Sequence, residues 1–245
     1  MTEQPGHVSG TDFGAAADDY RRGRPDYPAD LVVWLVGDAT RITDAGAGTG
    51  KLTASLVGTG RQVTAVDPDP RMLSTLGEDL PEVTTHTGSA EHLPLPDHSA
   101  EVITYGQAWH WVDPAAASTE AARVLVPGGV LGLIWNVRDE SEPWVAELTS
   151  IITASAAEQL IASGGPTVHA PFGEPERRQL SWERTLTVED LRSMIASRSY
   201  LIAAPERERS DIMERATALA TKVAGPDGTL RLPYRTEAYR AVNGS

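Results

Sequence analysis

A doubly wound α/β fold on a mostly parallel sheet is what this sequence predicts, and three observations carry the reading. Short β-branched apolar runs alternate with segments of helical spacing between residues 29 and 138. The loops joining them span a few residues, so the strands connect by right-handed helical crossovers and both sheet faces are covered. A glycine-rich turn follows the first strand and an acidic residue ends the second, as in a nucleotide-binding crevice.

The elements follow in order. Leu31, Val32, Trp34, Leu35 and Val36 suit a helix with one apolar face, closed near Gly37. Residues 41–44 end a strand, 62–67 form a β-branched strand, and 83–87, 101–105 and 130–135 form three more. Helices are expected over 51–58, 70–80 and 114–125. Beyond Arg138 the rhythm breaks. Trp144, Leu148, Ile151, Ile152 and Leu160 make one apolar stripe at helical spacing. Residues 163–175 read as a Gly/Pro-rich loop, 181–187 as a strand, and 188–197 as a helix capped by Thr187. Residues 229–236 read as a late strand whose Pro233 favours an edge position. The whole is one domain: an N-terminal arm or lid over 1–28, a cofactor-binding core over 29–138, and a part over 139–245 with lid helices and the final strands.

Composition narrows the function. The chain has 245 residues, with 34 Asp+Glu against 21 Lys+Arg and a net charge of -13. Binding a polyanion needs clustered cations, so the balance argues against nucleic acid. The absence of cysteine removes disulfides, thiolate nucleophiles and cysteine-ligated zinc. No apolar run reaches the roughly 20 residues needed to span a bilayer, and the start has no signal-peptide pattern. We therefore expect a cytoplasmic protein with no membrane partner; its oligomeric state is left open.

The strongest local signal is Asp44-Ala45-Gly46-Ala47-Gly48-Thr49-Gly50, between a strand and a helix. Glycines let the backbone turn sharply and approach a ligand, and the helix that follows offers unpaired N–H groups. Asp67 ends the next strand 67 − 48 = 19 residues after Gly48, where an acid would hold a ribose diol. The loop is G-x-G-x-G, which fits neither the dinucleotide G-x-G-x-x-G nor a Walker loop. Asp44 suits an ammonium-bearing ligand better than a pyrophosphate; otherwise it is a strand-end residue that caps the loop.

The segments DAGAGTGKLT, VTAVDPDPRML, GSAEHLPLPDHSAEVI, QAWHWVDP and RVLVPGGVLGLIWN occur in that order. They resemble the motifs of class I S-adenosylmethionine-dependent methyltransferases, and most closely the small-molecule methyltransferase domain 11 group that includes trans-aconitate methyltransferase-like proteins. Tyr20, Arg24, Pro25, Tyr27 and Pro28, with WNVRDESEPW and SRSY, also look like that subgroup. The resemblance implies a Rossmann-like seven-stranded sheet with the last strand antiparallel and S-adenosylmethionine bound at the strand C-termini. It implies that Gly46, Gly48 and Gly50 border the methionine moiety and that Asp44 lies near its amino group. Asp67 would hold the ribose, Pro68 and Met72 would flank the adenine, and Ala90 and Glu91 would meet its edge. Gln107 would face the methionine moiety or the methyl group, and Tyr20 would close over the site.

Methyl transfer from a sulfonium needs alignment in a dry pocket and no covalent intermediate. Aromatic faces suit the positive sulfonium, which singles out Tyr20, Tyr105, Trp109 and Trp111 as cation contacts or as ordinary packing. His110 is the candidate catalytic residue: a general base toward a hydroxyl or ammonium, or a histidine that orients the loop. Trp109, Trp111, Arg24 and Arg198 are candidate substrate contacts, and Arg21, Arg22 and Arg192 are further possible clamps for an anion. His86, His92 and His98, placed on loops near the adenine edge, form no metal set. Thr104-Tyr105-Gly106-Gln107 stands where amine-methylating nucleic-acid enzymes carry Asn/Asp-Pro-Pro-aromatic. With the acidic balance, this favours a small organic molecule over DNA or RNA as acceptor; transfer to a carboxyl or hydroxyl oxygen is the first expectation and to nitrogen the second. A nicotinamide-dependent oxidoreductase and a catalytically inactive cofactor-binding protein are the alternatives.

Overall fold

A computed structural model describes residues 25–244. Leu31, Val32, Leu35 and Val36 bury one face of helix α1 (Ala29–Val36), while Val33 points to solvent. The chain then alternates: β1 (Arg41–Ala45), α2 (Thr53–Leu56), β2 (Gln62–Asp67), α3 (Pro70–Asp79), β3 (Thr84–Thr87) and β4 (Ala100–Gly106). A 3-10 turn over Trp109–Trp111 leads to α4 (Pro114–Val124) and β5 (Leu125–Arg138). Two starts are sharply capped. Asp69 accepts from Arg71 N before Pro70, and Asp113 accepts from Ala115 N and Ala116 N before Pro114.

The second half holds α5 (Pro143–Ile152), α6 (Ala156–Ala162), β6 (Glu176–Thr187), α7 (Val188–Ala196), α8 (Ser199–Ala203), α9 (Glu206–Val223) and β7 (Thr229–Val242). The seven strands form one sheet in the order β3-β2-β1-β4-β5-β7-β6. β1 to β5 pair in parallel, while β7 runs antiparallel to both β5 and β6. This is the expected Rossmann-like sheet, with six strands in one direction and the last reversed.

Two expectations past Arg138 are corrected. The apolar stripe over 144–160 is two helices, because Thr153 adopts φ 53 and Ser155 starts α6 with a capping box to Glu158. The strand carrying Pro233 is interior, lying between β5 and β6. Its pairing with β5 ends at Arg138↔Tyr234, so the missing N–H of Pro233 falls where β5 has already stopped. The proline is at a local edge of an interior strand. The long helix α9 gave no sequence expectation. Its Ile212, Ala216, Leu219 and Ala220 are buried, but on a surface rich in charge.

Packing falls into three groups. Ile103, Tyr105, Leu131, Leu133 and Trp135 fill one face of the sheet with α4; Ile42, Val63, Val102 and Ile134 fill the other with α1 and α3. The third lies under α5, α7, α8 and α9 and takes in Leu230, Leu232 and Tyr234 of β7. β7 therefore stitches the helical cap to the sheet. Each fully buried large aliphatic side chain contributes about 1.5–3 kcal/mol to that union. No helix among the described residues is long and apolar enough to cross a membrane.

Candidate functional site

A cavity of about 700 Å³ opens at the C-terminal ends of the central strands. One end is walled by the loops after β1, β2, β3 and β4; the other by the α5–α6 joint, Ser197, Arg198, Tyr200 and Tyr234. Its size lies in the usual range for small-molecule sites, and its position obeys the crevice rule for open α/β sheets.

The glycine loop leaves β1 pinned to its neighbour, with Gly46 N and Ala47 N both donating to Val66 O. Gly46 has φ 68, and a Cβ there would sit 2.6 Å from Ala108 Cβ, so two loops cross at a residue that must lack a side chain. Gly46 and Gly48 line the cavity. Gly50 does not. It has φ 86 and backs onto Leu76 of α3, where a Cβ would meet Leu76 Cγ at 2.9 Å. Its glycine serves helix packing, which corrects the expectation that it borders a ligand.

Two acids stand at this end. Asp44 is buried; Oδ2 accepts from Thr53 Oγ1 at 2.7 Å and Oδ1 from Thr104 Oγ1 at 3.0 Å. Burial pushes its carboxyl up to about 7, against the two hydroxyl donors that pull it down. Asp67 accepts from Gly48 N on Oδ2 at 2.8 Å and from Asp69 N on Oδ1 at 2.9 Å. Burial raises this carboxyl too, and the backbone donors oppose it. Each Asp67 oxygen keeps a lone pair for a ligand hydroxyl. Pro68, Met72, Ala90 and Glu91 also line this end, and Glu91 accepts from Asp113 N at 3.0 Å.

Gln107 follows β4 with φ 55, unusual for a residue with a side chain. Its Nε2 donates to Asn136 O at 2.7 Å, while Oε1 is buried with no hydrogen-bond partner among the described residues. Buried acceptors are rarely left so, and an orphan on a cavity wall points to a ligand donor. Asn136 also lines the cavity: Nδ2 donates to Asp26 O at 3.2 Å and Pro25 O at 3.4 Å, and Oδ1 accepts from Thr236 Oγ1 at 2.6 Å. It thus ties the segment before α1 to the end of β5.

His110 lines the cavity, and its Nδ1 accepts the Trp135 indole N–H at 3.3 Å. An indole nitrogen only donates, so the neutral ring carries its proton on Nε2. That favours an orienting or donating histidine over a general base. Trp111, 44% exposed, also lines the cavity with its ring 5.0 Å from that of His110. Trp109 does not. Its ring is buried edge-on to Tyr105 at 4.9 Å, and its N–H donates to Thr167 O. This corrects its placement as a substrate contact: it is core.

At the far end Glu158 sits between two guanidiniums. Oε1 is 2.9 Å from Arg138 Nη2 and Oε2 is 2.9 Å from Arg198 Nη2. Burial alone would raise the Glu158 carboxyl, but Arg138 and Arg198 hold it down at about 2. Arg198 therefore does face the cavity. Arg192 instead pairs with Glu189 and Thr217. His86 lies within β3, and His98 binds Leu125 O at the start of β5, away from the cavity. Tyr20, Arg24, Arg21 and Arg22 fall outside the described residues. Among the described residues no group of His, Asp and Glu could hold a metal.

Sequence reading missed Asn136, Arg138 and Glu158. The first two had a usable signal: they end a strand on the side where the crevice rule puts ligands. Glu158 had none beyond its capping position.

Comparisons with known proteins show the family and the fold. A family model described as "Methyltransferase domain" matches residues 43–133. An uncharacterised methyltransferase of Mycobacterium tuberculosis is 44% identical, with 94% of this chain and 95% of that protein covered. An uncharacterised methyltransferase-like protein of Schizosaccharomyces pombe is 30% identical over 93% of each chain. A solved structure from Anaeromyxobacter dehalogenans, described provisionally as a type II methyltransferase, is 27% identical with a TM-score of 0.69, covering 89% of this chain and 97% of that one. The YcgJ protein of Bacillus subtilis, 17% identical over 89% of this chain and 98% of its own, shares the fold with a TM-score of 0.55.

Proposed function

This chain belongs to the class I S-adenosylmethionine-dependent methyltransferases, and from that premise we propose that it methylates a small organic molecule, on oxygen before nitrogen. The observation that carries the reading is the single cavity shared by Asp44, Asp67, the glycine loop and the partnerless Oε1 of Gln107. These groups fit the cofactor: acceptors and acids for an ammonium and a diol, and glycines where a backbone must come close.

When bound, the cofactor supplies a methyl group on a sulfonium, open to in-line displacement by an acceptor oxygen. Asp67, with its two backbone-anchored oxygens, would hold the ribose, and Pro68, Met72, Ala90 and Glu91 would surround the base. Gly46 and Gly48 would border the amino-acid end of the cofactor, where Gln107 Oε1 would be available to its ammonium and Asp44 would add negative charge. Orientation in a water-poor cavity is the chief catalytic device. His110, on the cavity wall, orients the acceptor, with Trp111 beside it. Residues 139–245 then select the acceptor. The lack of an Asn/Asp-Pro-Pro-aromatic segment after β4, with the net charge of -13, supports a small molecule over DNA or RNA as acceptor.

A calorimetric titration tests the first half of the reading. S-adenosylmethionine should bind with an affinity that NADH does not approach. NADH binding with no response to S-adenosylmethionine would replace this function with hydride transfer.

A further inference from the structure

The far end of the cavity carries chemistry that the cofactor reading does not use. Resting on that reading for what fills the other end, we propose that Arg138 and Arg198 form an anion subsite that seats a carboxylate of the acceptor.

Charge is the first ground. Arg138 is buried, and so is most of Arg198, whose side chain is 14% exposed. One carboxylate, Glu158, bridges both. Two guanidiniums against one carboxylate leave one positive charge facing the cavity. A single carboxylate neutralises it, a phosphate dianion over-fills it, and a protonated amine is repelled.

Open valence is the second. The Nη2 of Arg138 is taken by Glu158 and Thr149, but its Nε is buried with no acceptor among the described residues. Both hydrogen bonds of Arg198 also leave from Nη2, to Glu158 and Thr153 O. Each guanidinium therefore keeps its donors other than Nη2 for single charge-assisted hydrogen bonds to a carboxylate. A purely structural Arg–Glu–Arg cluster would satisfy its buried donors internally.

Polarity is the third. The opposite end holds Asp44, Asp67 and Glu91 against Lys51, so the cavity is net acidic at the glycine-loop end and net basic at the Arg138–Arg198 end. The remaining polar groups at the far end are committed elsewhere: Tyr200 Oη donates to Ile152 O, Tyr234 Oη to Met194 Sδ, and Ser155 Oγ to Glu158.

The test uses benzoate and its neutral isostere benzamide as probes, titrated into the full chain with and without S-adenosylhomocysteine. Benzoate should bind about tenfold more tightly or better than benzamide in both states. Arg198→Met should bring the two within about twofold, and Arg198→Lys should restore part of the preference. Equal binding of the two probes to the unmodified chain overturns the proposal without any variant. So does a preference that survives in a folded Arg198→Met chain. S-adenosylhomocysteine binding is read in the same samples; its loss would remove the methyltransferase reading and leave the benzoate result standing.

Discussion

The indole N–H of Trp135 donates to Nδ1 of His110 across 3.3 Å, from the buried end of β5 to the turn that borders the cavity. That contact sets the neutral tautomer and gives His110 a donor, Nε2–H, instead of a basic lone pair at that atom. His110→Gln, which keeps a donor near Nε2, should hold kcat within about tenfold of the parent. His110→Ala should lose more. A general base would make both variants fall together by about 10²–10⁴. Single-turnover methyl transfer by the two variants distinguishes the roles.

Asp67 is held by Gly48 N and Asp69 N, so its carboxylate cannot swing away from the cavity. Asp67→Ala should weaken S-adenosylmethionine binding by about 1.5–3 kcal/mol, the worth of hydrogen bonds to a charged group. Calorimetry reads this directly, and an unchanged affinity would refute the placement of the ribose.

Asp44 sets a pH dependence. Its folded pKa of about 7 lies above the ordinary 3.8, so the folded chain holds this proton more tightly than the unfolded one. The associated stability is present below 3.8 and is lost as pH rises through about 7. A cationic amino group has the opposite preference and favours the ionised carboxyl. Cofactor affinity should therefore fall as pH drops below about 7, with proton release on binding near pH 6. Titrations in buffers of different ionisation enthalpy measure that proton. Asp44→Asn should remove the release and should not lower the melting temperature at pH 8.

Glu158 works in the other direction. Its carboxyl lies at about 2 against an ordinary 4.5, so its contribution is present above 4.5 and is lost as pH falls toward 2. Glu158→Ala leaves Arg138 and Arg198 facing each other in a buried site and should cost about 3–5 kcal/mol in chemical denaturation. A cost under about 1 kcal/mol would show that the pair is solvated in practice.

Asn136 joins the segment before α1 to β5 and also holds Gln107 through its carbonyl. Asn136→Ala should destabilise the chain by about 1–3 kcal/mol and raise proteolytic sensitivity near Pro25 and Asp26. Unchanged proteolysis there would contradict its tethering role.

The first two-thirds of the fold was legible because its strands are short β-branched runs punctuated by glycine and proline. Val63 to Asp67 and Val102 to Tyr105 can bury both faces only inside a parallel sheet. The pairing of the glycine loop with the end of β2 followed from spacing, since Gly48 and Asp67 are partners in space as well as in pattern. Trp109 misled because a tryptophan beside His110 looks like a binding residue, and a 3-10 turn rotates its neighbours to opposite sides. Pro233 misled because strand order in the sheet is a long-range property. The far end of the cavity was hidden for the same reason: Arg138, Glu158 and Arg198 meet only after β5, α6 and α8 have packed.

The most direct measurement incubates the chain with methyl-labelled S-adenosylmethionine and a panel of acids, phenols, alcohols and amines, read by mass spectrometry. Transfer of the labelled methyl to an oxygen of a carboxylate-bearing acceptor, with S-adenosylhomocysteine formed in equal amount, is expected. Tight cofactor binding with no labelled product across the panel would contradict it and leave a binding protein in place of an enzyme.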